Sequence, residues 1–124
     1  MNLRDPKLTA LRFNEFITRH DLHSPCKSMS GDHVFVDRDG KSKQSRERIA
    51  SVWGEFFGKF PDYRNKFARV ESRKETVVTV GNAYWNEKNT HDPAIWTARI
   101  ENDLVAERRT YYDTDENRDR FGLK

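Results

Sequence analysis

Apolar residues recur along this chain with two different periods, and the change of period marks a change of structure. After Pro6 they fall at Leu8, Leu11, Phe13, Phe16 and Ile17, a wide stripe that predicts a helix packed on more than one side. Asp5 is placed to cap that helix. Pro6 takes the first helical position, where a missing N–H costs nothing. In "QSRERIASVWGEFFGKFPD" the residues Ile49, Val52, Trp53, Phe56, Phe57 and Phe60 keep the clearest 3.6-residue repeat of the chain. Pro61 predicts the end of this second helix. Between the two lies "RHDLHSPCKSMSGD", read as a break with one or two short helical turns, Pro25 opening one after Ser24. "HVFVD" then predicts a short strand and "RDGKSK" a turn or loop.

From Tyr63 onward the period shortens to two. "YRNKFARVES" and "ETVVTVGNAYW" predict strands paired about "RKE". Beyond the polar loop "NEKNTHDP", the runs "AIWTARIE" and "LVAERRTYYD" predict a second hairpin with its tight turn at Asn102-Asp103. Thr114 is placed to cap a last helical turn in the tail. Helices followed by a run of strands predict an α+β domain with an antiparallel sheet, covered on one face by the helices. At 124 residues the chain reads as a single domain, 1–124, with no internal repeat.

Composition sharpens this reading. Charged residues make up 35%, yet the apolar part includes 8 Phe, 4 Tyr and 3 Trp, which points to a small aromatic core rather than disorder. The net charge is only +3, and the densest basic stretch, "KSKQSRER", includes Glu47. Nucleic-acid binding calls for a concentrated patch, so no nucleic-acid partner is expected. Cys26 is the single cysteine and can form neither an intrachain disulfide nor a zinc cluster. His20, His33 and His91 are dispersed, and His20 with His23 lacks a third ligand, so no metal and no cofactor are expected. No apolar run approaches a membrane span and the first residues do not look like a signal peptide. The expectation is a cytoplasmic protein without a membrane partner.

Candidate chemistry concentrates in "HVFVDRDG", residues 33–40. Asp37 has two readings. It is a general base in an apolar pocket, or a strand-end carboxylate that starts the "DRDG" turn by bonding to its own backbone. Asp39 reads as turn chemistry, because Asp-Gly is a strong turn signal. Phe13, Trp53, Phe57 and Trp96 line a ligand pocket or simply fill the core.

In this order of elements the chain resembles the nuclear-transport-factor-2-like superfamily, and within it the SnoaL-like proteins. The resemblance runs from about Leu8 to Asp113. It rests on the first helix ending in "RHDL", on "DHVFVD", on "GEFFGKFPDY" and on "WTARIENDLVAERRTYYD". It implies a cone-shaped, curved antiparallel sheet wrapped around the N-terminal helices, a cystatin-like α+β roll with a pocket at its wide end. It also implies a homodimer through the outer sheet face. That superfamily holds isomerases, dehydratases, cyclases, epoxide hydrolases and binding modules without activity, so function must be argued from the site.

Two of those patterns can be laid on the chain. Against the ketosteroid isomerases, Asp37 falls on the base, Phe13 on the tyrosine and Trp96 on the second acid. An indole N–H can donate one hydrogen bond but cannot exchange a proton. Each lost oxyanion donor costs about 3–4 kcal/mol of barrier, so steroid-type isomerisation is not expected. Against the epoxide hydrolases, "RRTYYD" matches at Arg109 and Tyr111, with Thr110 in place of the acid. The two patterns disagree on which side chains of the last strand face the pocket. A tight hairpin at Asn102-Asp103 puts Trp96, Ala98, Glu107, Arg109 and Tyr111 on one face, whereas a bulge reverses the choice to Arg108 and Thr110. The expected site is a pocket of Phe13, Ile17, Trp53, Phe57, Trp96, Arg109 and Tyr111, with Asp37 as general base. It would take a small, partly apolar carbonyl- or hydroxyl-bearing molecule into isomerase-, lyase- or cyclase-type chemistry. The alternative is a non-enzymatic ligand-binding or dimerisation module in which Asp37 is structural.

Overall fold

The computed structural model describes residues 5–21, 29–86, 88 and 91–123. The short turns expected around Pro25, and with them His23 and Cys26, lie outside the described residues. Helix α1 (Pro6–Thr18) starts as expected, the Asp5 carboxylate accepting the Lys7 N–H at 3.0 Å. Strands β1 (Met29–Val36) and β2 (Ser42–Gln44) form a small antiparallel hairpin, so the stretch expected as a loop carries a short strand. Helix α2 (Arg46–Lys59) is capped by Ser45, whose hydroxyl accepts the Arg48 N–H at 3.3 Å. Four long strands follow: β3 (Arg64–Arg73), β4 (Thr76–Tyr84), β5 (His91–Glu101) and β6 (Leu104–Tyr112). A short helix, α3 (Asp115–Arg120), is capped by Thr114.

The strands make one open sheet in the order β2-β1-β6-β5-β4-β3. Every pairing is antiparallel except β1 with β6, which is parallel, so the sheet is mixed. The departure from a wholly antiparallel sheet has a topological cause. The chain leaves β1 and passes through β2, α2, β3, β4 and β5 before β6 docks beside β1, so no local turn dictates their relative direction.

Two bulges bend the sheet around α1 and α2. In β3, Ala68 is extra: Phe67 pairs with Gly81 and Arg69 with Val80. At this bend β4 approaches β3 so closely that a Cβ on Gly81 would lie 1.9 Å from the Lys66 carbonyl oxygen. Only glycine fits there. In β6, Ala106 is extra, since Arg99 pairs with Glu107 but Ile100 with Val105. Bulges of this kind increase local twist and bend, which makes one face concave.

The concave face and the helices enclose the main core, with Phe13, Ile17, Ile49, Trp53, Phe57, Val77 and Trp96 all buried. The outer face carries a second cluster. Val78, Val80 and Ile95 are covered by Tyr111 and by Phe121 and Leu123 from the tail. Burying side chains of this size contributes roughly 1.5–3 kcal/mol each, so both faces of β4 and β5 help to hold the fold.

Candidate functional site

Between α2 and the concave face the core is incomplete. A cavity of about 330 Å³ remains, walled by Phe35, Ile49, Val52, Trp53, Phe56, Tyr63, Ala83, Trp85, Ala94 and Trp96. Its polar groups are Asp37, Arg38, Asp39, Lys43, Arg108, Thr110 and Tyr112. The lining is thus mostly aromatic and aliphatic with a few placed polar groups, the usual make-up of a small-molecule site.

The bulge at Ala106 decides which side of β6 contributes. The tight hairpin exists as expected, with Asn102 and Asp103 both at positive φ, 52° and 63°. Without the extra residue, Trp96 would face Arg109. With it, Trp96 pairs with Thr110, Ala98 with Arg108 and Ala94 with Tyr112. Arg108, Thr110 and Tyr112 therefore line the cavity, and Arg109 and Tyr111 belong to the outer face. Tyr111 stacks edge-on against Phe121 there, at 5.0 Å between ring centroids. The expected pocket role of Arg109 and Tyr111 is corrected accordingly.

Of the other expected site residues, Trp53, Trp96 and Asp37 meet at the cavity. Phe13 lies beneath it, lining a small adjoining void of about 10 Å³ with Trp96 and Arg108. Ile17 and Phe57 are core residues and do not line it; Phe57 stacks on the His20 ring at 4.0 Å. The sequence reading missed Phe35, Phe56, Tyr63 and Trp85. The spacing of Phe56 on α2 was a usable signal, and so was the alternation that puts Trp85 in step with Ala83 at the end of its run.

Arg108 is the most unusual group in the site. It is only 4% exposed, and its guanidinium carbon lies 5.7 Å from the Phe13 ring, 5.9 Å from Trp53 and 6.0 Å from Trp96. Among the described residues no carboxylate pairs with it, and its Nη2 has no hydrogen-bond partner. Burial pulls its pKa below the ordinary arginine value. An arginine remains charged even so. Each aromatic ring contributes roughly 0.5–2 kcal/mol of cation–π attraction, which offsets part of a desolvation penalty of several kcal/mol. The Tyr63 hydroxyl is itself buried, hydrogen-bonded to Asn65, and held neutral by a pKa raised through burial.

His33 stands behind this group. Its Nδ1 is 2.6 Å from the Val105 carbonyl, which can only accept, so Nδ1 carries the proton. Burial, and next the positive Arg108, lower its pKa from 6.5 to about 4, against the raising effect of that hydrogen bond. The imidazole is therefore neutral at pH 7 and adds no charge to the interior.

Asp37 sits at the rim and serves a turn. Its Oδ1 accepts the N–H groups of Asp39 at 2.9 Å and Lys41 at 3.0 Å. Its carbonyl accepts the Gly40 N–H at 3.1 Å, with Gly40 at φ 82°. Across the rim the Tyr112 hydroxyl donates to Asp39 at 3.1 Å, and Arg38 lies over the Tyr112 ring while pairing with Asp92 at 3.8 Å. The rim is thereby braced from β1, β5 and β6.

No group of three or more His, Cys, Asp or Glu among the described residues could hold a metal ion, and no described helix is long and apolar enough to cross a membrane.

No protein-family model and no curated protein matches the chain. Solved structures do. A putative SnoaL-like polyketide cyclase from Shewanella putrefaciens superposes with a TM-score of 0.78 at 15% identity, over 99% of this chain and 89% of that one. An NTF2-like protein of unknown function from Cytophaga hutchinsonii gives 0.74 at 11% identity, over 91% and 95%. An LEH-like epoxide hydrolase from M. tuberculosis gives 0.76 at 13% identity, over 87% and 82%. At such identities the likeness is one of fold alone: the chain has the SnoaL-like, nuclear-transport-factor-2-like fold, a curved α+β sheet wrapped on its helices.

Proposed function

We propose that the chain is a pocket protein that binds a compact, partly apolar molecule bearing a carbonyl or hydroxyl group, and that its primary role is binding. The observation that carries this is the aromatic cavity of about 330 Å³ with polar groups converging on it. Arg108, Thr110 and the neutral Tyr63 hydroxyl supply donors for a ligand oxygen, while Trp53 and Trp96 supply flat apolar walls. Asp37 as a general base is the second reading, favoured by its place on the cavity lining. Against it stands the engagement of Oδ1 by two backbone donors of the turn, and Oδ2 alone is left to take a proton. A homodimer through the outer face would form beside the tail, over the exposed Lys66, Arg69 and Arg73.

The test is native mass spectrometry of the purified chain, followed by denaturing analysis of anything released. A bound small molecule lost in Trp96→Ala supports the binding reading. A protein whose mass and thermal stability stay unchanged across a broad metabolite panel counts against it. Turnover of a bound compound that disappears in Asp37→Asn, with binding retained, would move the second reading ahead.

A further inference from the structure

A buried guanidinium without a counter-ion is the feature of this site that ordinary folding does not account for. A positive charge removed from water is usually paired, because an uncompensated charge in the interior is strongly destabilising. Arg108 is 4% exposed, with Nη2 unpartnered among the described residues. The remaining charged groups on the cavity are Asp37 and Asp39, with Arg38 and Lys43 beside them. Asp37 is engaged by the turn, Asp39 by Tyr112, and Arg38 is paired with Asp92. Neither carboxylate is bonded to Arg108.

The surroundings also select the shape of what would complete the pair. Three aromatic rings flank the guanidinium, its carbon lying 5.7–6.0 Å from their centroids. A guanidinium carries a planar fork of N–H donors that matches a carboxylate in two parallel bonds. The aromatic walls of the cavity suit a flat, unsaturated body attached to that carboxylate.

We propose that the ligand is an organic anion, an aromatic or conjugated carboxylate, whose carboxylate is received by the Arg108 guanidinium while its body lies along Trp53 and Trp96. This rests on the cavity being a ligand site, and it deepens that reading by assigning the charge of the ligand and the residue that recognises it. Arg109, one position along, takes no part.

The experiment uses the whole chain and isothermal titration calorimetry with three acid–amide pairs: benzoate and benzamide, trans-cinnamate and cinnamamide, 2-naphthoate and 2-naphthamide. At least one acid is expected to bind about ten- to a hundredfold more tightly than its own amide, the difference a charge-assisted, bidentate contact supplies. In Arg108→Met that preference falls to about one, and in Arg109→Met it is retained. Binding in which no acid is preferred over its own amide overturns the inference and leaves the pocket standing. A preference that survives in Arg108→Met overturns the assignment to this residue. Neither acid nor amide binding wild type at millimolar concentration would remove the inference and the pocket reading together. The wild-type comparison stands even if a variant fails to fold.

Discussion

Arg108 and Arg109 are adjacent in sequence, and the sheet separates them into different chemical settings. Arg108 enters the concave face, where the helices leave a hollow and three rings surround its charge. Arg109 lies on the outer face, half-buried, with its guanidinium 5.2 Å from the Tyr111 ring. The outer face is filled by the chain's own tail, through Phe121 and Leu123. The inner face is covered by helices and still left open at one end. On the outer face, Arg109 has only its Nε buried without a hydrogen-bond partner among the described residues, and its side chain as a whole stays partly exposed. Where the face keeps a cavity, the arginine holds a charge whose partner is not supplied by the described residues.

The contrast between the faces depends on curvature, and its removal should give the largest effect. Gly81→Val would drive a Cβ into the Lys66 carbonyl oxygen and close to the Phe67 Cα, backbone atoms that cannot step aside. A loss of about 4 kcal/mol or more is expected by urea denaturation, the range reserved for a named steric failure. A loss under about 1 kcal/mol would show that the close approach is not rigid.

His33 tests the inner face through pH. Its folded pKa of about 4 lies below the ordinary 6.5, so between these values the unfolded chain binds more protons than the folded one. Stability is therefore fully present above about pH 6.5, and falls as pH drops towards 4. The shift corresponds to about 3 kcal/mol. Denaturant titrations from pH 7 to pH 4 should show the fall, and His33→Gln should flatten it. An unchanged slope in the variant would assign the pH dependence elsewhere.

The outer face should respond less. Leu123 is 1% exposed against Val78, Val80 and Ile95, and Leu123→Ala is expected to cost about 2–3 kcal/mol, the lower part of the range for such truncations. Ligand binding by the inner face should survive it. The smallest effect belongs to the rim. Asp37→Ala loses two turn hydrogen bonds and should cost about 1 kcal/mol, while Asp37→Asn, which keeps an acceptor, should cost less. A large loss in Asp37→Asn would mean that the negative charge, not the acceptor, holds the turn.

Much of this architecture was legible in the sequence because it is locally determined. Asp5 with Pro6, the aromatic repeat of α2 and the Asn102-Asp103 turn each act within a few residues, and each element stands where its signal lies. The parallel pairing of β1 with β6 was not legible, because it joins segments some 70 residues apart without a connecting turn. The site was half legible for the same reason. Trp53 and Trp96 follow from periodicity, but the side of β6 that faces the cavity hangs on one extra residue, Ala106. Alternation carries parity along a strand only until a bulge resets it. "RRTYYD" looks the same on either side of that choice.

The account centres on Arg108 being kept for a ligand and not for the fold. Equilibrium unfolding of Arg108→Met against wild type, without added ligand, tests this directly. A buried charge whose desolvation is only partly offset does not stabilise the fold, so the variant should match wild type within about 1 kcal/mol or exceed it. A loss of about 3–5 kcal/mol, the cost of breaking a buried ion pair, would contradict it and make Arg108 a structural residue.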